Sequence, residues 1–126
     1  MEDLILEKTE HTPEVSLKSS GTLAIKGRSF PEDVGAFFDP ITQWMEWYVG
    51  QPANNTEFSI YFDYYNSSTA RRITELIFEL ENIQDNGKAV KVIWYYKPGD
   101  VIMQENGEEI KSVVNLPFEL KEAPKT

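Results

Sequence analysis

Apolar positions along this chain change period several times, and each change marks an element. Val15 to Leu17 and Thr22 to Lys26 alternate apolar and polar residues around Ser19-Ser20-Gly21, which predicts a hairpin. Val34, Phe37, Phe38, Ile41, Trp44, Met45 and Tyr48 then recur at threes and fours, one face of an amphipathic helix. Ser29 stands three residues before Glu32, a capping-box spacing, and Pro31 suits a first helical turn, so the helix is expected to open there. Pro40 within it predicts a kink or a later start.

Phe58, Ile60, Phe62 and Tyr64 alternate as a strand, and the aromatics between them suggest that both faces are covered. Tyr61, Tyr65 and Tyr95 alternate with core positions and are expected under a helix or, failing that, lining a pocket. The strand runs into Asn66-Ser67-Ser68-Thr69, a cluster of N-cap residues. A stripe of Ala70, Ile73, Leu76, Ile77, Leu80 and Ile83 follows, closed by Asp85-Asn86-Gly87. Val90, Val92, Trp94 and Tyr96 predict another strand. A weaker helical stretch near 100–112, interrupted by Gly107, leads to a short strand at Phe118 and Leu120. Residues 1–13 are expected to form an extended leader and 122–126 a frayed tail. The order β-β-α-β-α-β-α-β predicts one α/β domain over residues 1–126, a small mixed sheet with helices packed against it.

Composition narrows the function. The 126 residues carry a net charge of −9, which speaks against nucleic acid or an anionic membrane as partner. No run approaches a membrane-spanning length, and MEDLILEKTEHTPEV has no secretory character, so a cytoplasmic location is expected. The absence of cysteine excludes disulfides, thiolate catalysis and zinc–sulfur sites. His11 is the single imidazole and lies in a polar stretch expected to be solvated. Phosphate-cradling glycine loops and HExxH are missing. A protein that is not an enzyme and needs no metal or cofactor is the expectation.

Chemistry concentrates at the strand-to-helix corner, since open α/β sheets gather ligands at the carboxyl ends of their strands. Helix capping needs one of the hydroxyls Ser67, Ser68 and Thr69. The three together also suit phosphorylation, because a phosphate there meets unpaired backbone N–H groups, the positive end of the helix dipole and Arg71 or Arg72. Arg28 is a further candidate for this corner. Trp47 lies off the apolar stripe of its helix and is a candidate partner anchor.

The corner resembles the Asp-Ser-Ser-Gly turn of STAS-type anti-sigma-factor antagonists, with Asn66 and Thr69 replacing the acid and the glycine. A resemblance over nearly the whole chain is to the SiaC family of bacterial regulatory phosphoproteins. It rests on Thr12-Pro13-Glu14-Val15, Gly27-Arg28-Ser29-Phe30-Pro31-Glu32, Pro40-Ile41 with Trp44, Tyr65-Asn66-Ser67-Ser68-Thr69, Gly87-Lys88 before Val92-Ile93-Trp94-Tyr95-Tyr96, and Pro117-Phe118. That resemblance implies a STAS-like fold and a partner-switching role. A Ser/Thr kinase of the histidine-kinase-like ATPase class would phosphorylate the corner. A PP2C-type phosphatase would reverse it. The dephosphorylated form would bind a diguanylate cyclase and promote cyclic-di-GMP synthesis and biofilm growth. The family's phosphoacceptor carries over onto Ser67, with Ser68 and then Thr69 behind it, and Asn66, Arg71, Arg72, Arg28 and Trp47 are the contact candidates. The alternatives are an antagonist acting on transcription through an anti-sigma kinase, or a small-ligand-binding domain.

Overall fold

A computed structural model describes residues 2–124. Its strands are β1 (Leu4–Leu6), β2 (Glu14–Leu17), β3 (Thr22–Ser29), β4 (Asn55–Tyr65), β5 (Ala89–Tyr96) and β6 (Phe118–Glu122). Its helices are α1 (Val34–Val49), α2 (Ser67–Asp85) and α3 (Val101–Val113). The strands form one sheet in chain order, antiparallel from β1 to β3 and parallel from β3 to β6. The three crossovers all step the same way across the sheet. Right-handed connections therefore place every helix on one face and leave the other face open.

That one-sidedness organises the core. Ile25, Phe58, Ile60 and Trp94 point from the sheet into a layer made by Phe38, Ile41 and Tyr48 of α1 and Ile73, Leu76 and Leu80 of α2. Burying such side chains contributes about 1.5–3 kcal/mol each before entropy is subtracted. Buried polar groups are paired: the Tyr48 hydroxyl meets Thr56 Oγ1 at 2.7 Å. Tyr61 and Tyr95 alternate with the inward residues of their strands and stand on the open face, 6.1 Å apart between ring centroids, beside Lys26. Among the described residues no helix crosses that face, so the two do not lie under a helix; with Lys26 they line an open pocket there.

Four other boundaries differ from the sequence pattern. The leader contains β1, which pairs Leu4 with Leu17 and Leu6 with Val15. It is held further by Trp44 Nε1 donating to the Glu2 carbonyl and Ser19 N donating to Asp3; three residues are too few to show a period. The cap of α1 is Asp33, whose carboxylate accepts from Ala36 N at 3.0 Å, and not Ser29, which remains in β3 to pair with Tyr65. Helix α1 runs through Pro40 without interruption. The tail is tied by Ala123 N donating to the Tyr96 carbonyl, and Ala123 is buried; residues 125–126 of the expected frayed tail lie outside the described residues.

Gly107 does not interrupt α3. It lets the helix ride directly on Trp94, whose indole N–H donates to the Met103 carbonyl at 2.9 Å. A hydrogen side chain is what that contact distance allows.

The strand-to-helix corner as candidate functional site

The corner is aimed by a bulge. Gly27 lies opposite Phe62 and Arg28 opposite Tyr64, so Asp63 is an extra residue in β4. Gly27 takes φ +124°, a conformation that glycine adopts without strain. The extra residue reverses the alternation. Asp63 and Tyr64 both face outward, Asp63 toward Lys97 at 2.8 Å. Tyr65 returns to the helical side, 5.1 Å from the Phe62 ring and 6.1 Å from Trp94. From there the chain enters α2.

Asn66 caps α2. Its Oδ1 accepts from Thr69 N at 3.0 Å and from the Ser68 hydroxyl at 3.0 Å. Its own N–H donates to the Ser29 carbonyl at 3.1 Å. Asn66 is thus spent on building the corner. The three hydroxyls separate by environment. Thr69 is fully buried, with its hydroxyl 2.8 Å from Ser29 Oγ and also donating to the Ser29 carbonyl. The third phosphoacceptor candidate therefore lies in the core and not at the surface. Ser68 is half-buried and its hydroxyl serves the cap. Ser67 is exposed, and its hydroxyl makes no hydrogen bond among the described residues. The N–H groups of Ser67 and Ser68 belong to the first turn, where the helix supplies no acceptors.

The arginines separate as well. Arg72 donates to Asp39 at 2.7 Å and to Thr42 at 3.1 Å, and its guanidinium lies over the Phe38 ring. It stitches α2 to α1. Arg71, four residues after Ser67, is exposed and forms no ion pair among the described residues. Ser67, Ser68, Arg71 and Arg72 line one open depression of about 540 Å³ with Val34 and Glu75. Arg28 is not part of it. It alternates with the inward Ser29, stands on the open sheet face and lies over the Phe30 ring, so its expected role at the corner is corrected. Trp47 is half-buried against Trp44 at the far end of α1, about 20 Å along the helix from Val34 at the 1.5 Å rise per residue. It is not brought to the corner.

A second surface adjoins the corner. Helices α2 and α3 each pack on β5, and a groove of about 610 Å³ runs between them. Tyr65, Phe78, Ile110 and Val113 give it an apolar lining, and Arg71 belongs to both the groove and the corner. Burial pushes the Tyr65 phenol above its ordinary range; Asn106 works against this and Glu109 adds to it. The groove went unseen in the sequence, although one signal was present: Ser67, Arg71, Thr74 and Phe78 fall at i, i+4, i+7 and i+11, one continuous helix face.

A one-sided layer of three helices over a six-stranded mixed sheet, with its open corner at a helix start, defines a single α/β domain. The model of the SiaC family of regulatory phosphoproteins matches residues 6–123, and the chain belongs to that family. It is 25% identical over 122 residues to an uncharacterized protein of Pseudomonas aeruginosa strain UCBPP-PA14, covering 96% of this chain and 97% of that one. The apo-SiaC crystal structure from Pseudomonas aeruginosa superposes with a TM-score of 0.88 at 25% identity, covering 96% of this chain and 99% of that chain. The fold also matches, at a TM-score of 0.87 and 23% identity, a chain from the Pseudomonas aeruginosa complex of the diguanylate cyclase SiaD with its activator SiaC; 96% of this chain and 100% of that chain are covered. No helix among the described residues is long and apolar enough to cross a membrane.

Proposed function

We propose that this chain is a non-enzymatic partner-switching protein of the cytoplasm whose phosphoacceptor is Ser67. One observation carries the choice of residue: of the three corner hydroxyls, Ser67 alone is exposed and free of hydrogen bonds among the described residues, one helical turn before the unpaired Arg71. A phosphate there meets the orphan amides of α2 and a guanidinium at i, i+4 spacing, so it is accommodated without unfolding the helix. The surface changes by about −1.5 to −2 charges while the core is untouched.

In this reading a Ser/Thr kinase of the histidine-kinase-like ATPase class adds the phosphate and a PP2C-type phosphatase removes it. The unmodified form binds a diguanylate cyclase and stimulates cyclic-di-GMP synthesis. Membership of the SiaC family and the solved pairing of a SiaC with the cyclase SiaD support that choice of partner. The test is affinity capture with the full chain in its native cells, followed by cyclic-di-GMP synthesis assays on the captured cyclase. Unmodified chain and Ser67→Ala are expected to bind and stimulate it, and chain with genetically encoded phosphoserine at position 67 to do neither. Equal stimulation by the phosphorylated chain refutes the switch.

A further inference from the structure

We infer that the open face of the sheet carries a second site, separate from the strand-to-helix corner, and that it takes a small planar aromatic anion. Tyr61 and Tyr95 supply the aromatic surface, and Lys26 and Lys121 the positive charge. The inference stands apart from the partner-switching reading and needs no phosphate on Ser67.

Strand register builds the hollow. Lys26, Tyr61, Tyr95 and Lys121 stand opposite one another in a single row across β3, β4, β5 and β6. Two residues back along the strands, Ala24 lies opposite Ser59. Side chains two apart share a face, so a row of long residues borders a floor of short ones. A further wall is the chain from Glu122 to Pro124, fastened where Ala123 N donates to the Tyr96 carbonyl at 2.8 Å. The hollow holds about 380 Å³, within the range of small-molecule pockets. Ion pairs bound it toward both ends of the strands, Lys91 with Glu119 at 2.9 Å and Lys97 with Asp63 at 2.8 Å. The apolar area therefore stops short of a protein-sized interface.

Polar groups decide what fits. Lys26 and Lys121 form no ion pair among the described residues, whereas Lys91 and Lys97 of the same face are both paired. The Lys26 ammonium stands 5.8 Å from the Tyr61 ring centroid. Neither the Tyr61 nor the Tyr95 hydroxyl makes a hydrogen bond among the described residues. The row spans three strand spacings, about 14 Å, so a cation waits at either end of the aromatic pair. Glu122 is the one carboxylate lining the hollow among the described residues. Two lysines less one glutamate leave it positive in a chain of net charge −9. The tyrosine rings lie 6.1 Å apart and tilted by 46°, which offers a flat ring one face to stack on and one edge to meet. An anionic group on that ring gains a charge-assisted contact with either lysine. An aliphatic anion uses only the lysines and a neutral ring only the tyrosines, so the hollow selects the combination. Nucleoside monophosphates and aromatic carboxylates share this chemistry.

The experiment titrates the isotope-labelled full chain with GMP and with anthranilate, and follows backbone amide shifts by NMR. Guanosine and inorganic phosphate serve as the two halves of GMP. At least one of GMP and anthranilate is expected to bind saturably below about 1 mM, with shifts centred on Ala24, Ser59 and Ala123. Guanosine and phosphate should each bind about tenfold more weakly than GMP where GMP binds. Tyr95→Thr keeps strand propensity and should weaken binding about fivefold or more. Lys26→Ala combined with Lys121→Ala should weaken it similarly and remove its dependence on salt. Phe78→Ala, on the helical side, should match wild type, and circular dichroism verifies the folding of each variant. Binding of GMP alone supports the site and makes its ligand a nucleotide; binding of anthranilate alone supports it and makes the ligand an aromatic acid. No saturable binding of either probe below about 1 mM overturns the inference. Shifts confined to the helical face, or wild-type affinity in Tyr95→Thr or in the double lysine variant, overturn it as well.

Discussion

Ser29 Oγ and Thr69 Oγ1 lie 2.8 Å apart, both fully buried, and they join the last residue of β3 to the first turn of α2 across forty positions of sequence. The pair fixes where α2 starts, and hence where Ser67 and Arg71 point. Thr69→Val removes one partner and strands the other hydroxyl in the core. It is expected to destabilise the fold by about 1–3 kcal/mol in urea denaturation. Thr69→Ser keeps the hydroxyl and is expected to cost less than half as much.

Gly107 is a steric requirement of the α3–β5 contact. A Cβ there would stand 2.7 Å from Trp94 Nε1 and 2.9 Å from Cγ, and closer still to Cδ1. Gly107→Ala raises helix propensity yet is expected to destabilise the protein by about 1–3 kcal/mol through overpacking. Indole fluorescence and a lowered urea midpoint report the displaced Trp94. A more stable Gly107→Ala protein would show that α3 is not seated as described.

Adjacent arginines should behave differently. Arg72→Ala loses the Asp39 pair and packing on Phe38; the pair is partly exposed, so a loss of about 0.2–1 kcal/mol is expected. Arg71→Ala touches no ion pair among the described residues and should leave the melting temperature within a degree or two, while weakening the capture of a phosphate at Ser67. Equal melting shifts in the two variants would contradict this division of labour.

Tyr65 supplies a pH dependence. Burial raises its phenol above the ordinary value near 10, so the folded state favours the neutral form. The unfolded chain ionises first as pH rises. Its contribution to stability is therefore complete below about pH 10 and is lost as pH climbs through the folded value. Urea midpoints measured at pH 9 and pH 11 should fall, and Tyr65→Phe should fall less.

Much of this architecture was legible because its signals are local. The stripe from Ala70 to Ile83 and the alternation from Phe58 to Phe62 each span enough residues to show a period, and the α2 start is announced by Asn66. The misreadings share a cause in long-range pairing. Ser29 looks like a helix cap until β3 must extend to meet Tyr65. Leu4 to Leu6 is too short to signal a strand and forms one only because β2 offers an edge. Arg28 and Tyr61 stand on the open face because all three crossovers step one way, which the sequence does not announce. At the site, the order of the hydroxyls depended on burial. Ser67, Ser68 and Thr69 are adjacent in sequence, and only the fold makes one free, one a cap partner and one a core residue.

Peptide mapping of the chain purified from native cells, with its phosphatase inactivated, tests the switch most directly. A phosphate on Ser67, and not on Ser68 or Thr69, is the predicted result, and Ser67→Ala should abolish it. A phosphate confined to Ser68, or no phosphate on this peptide in any growth condition, would contradict it and return the corner to helix capping alone.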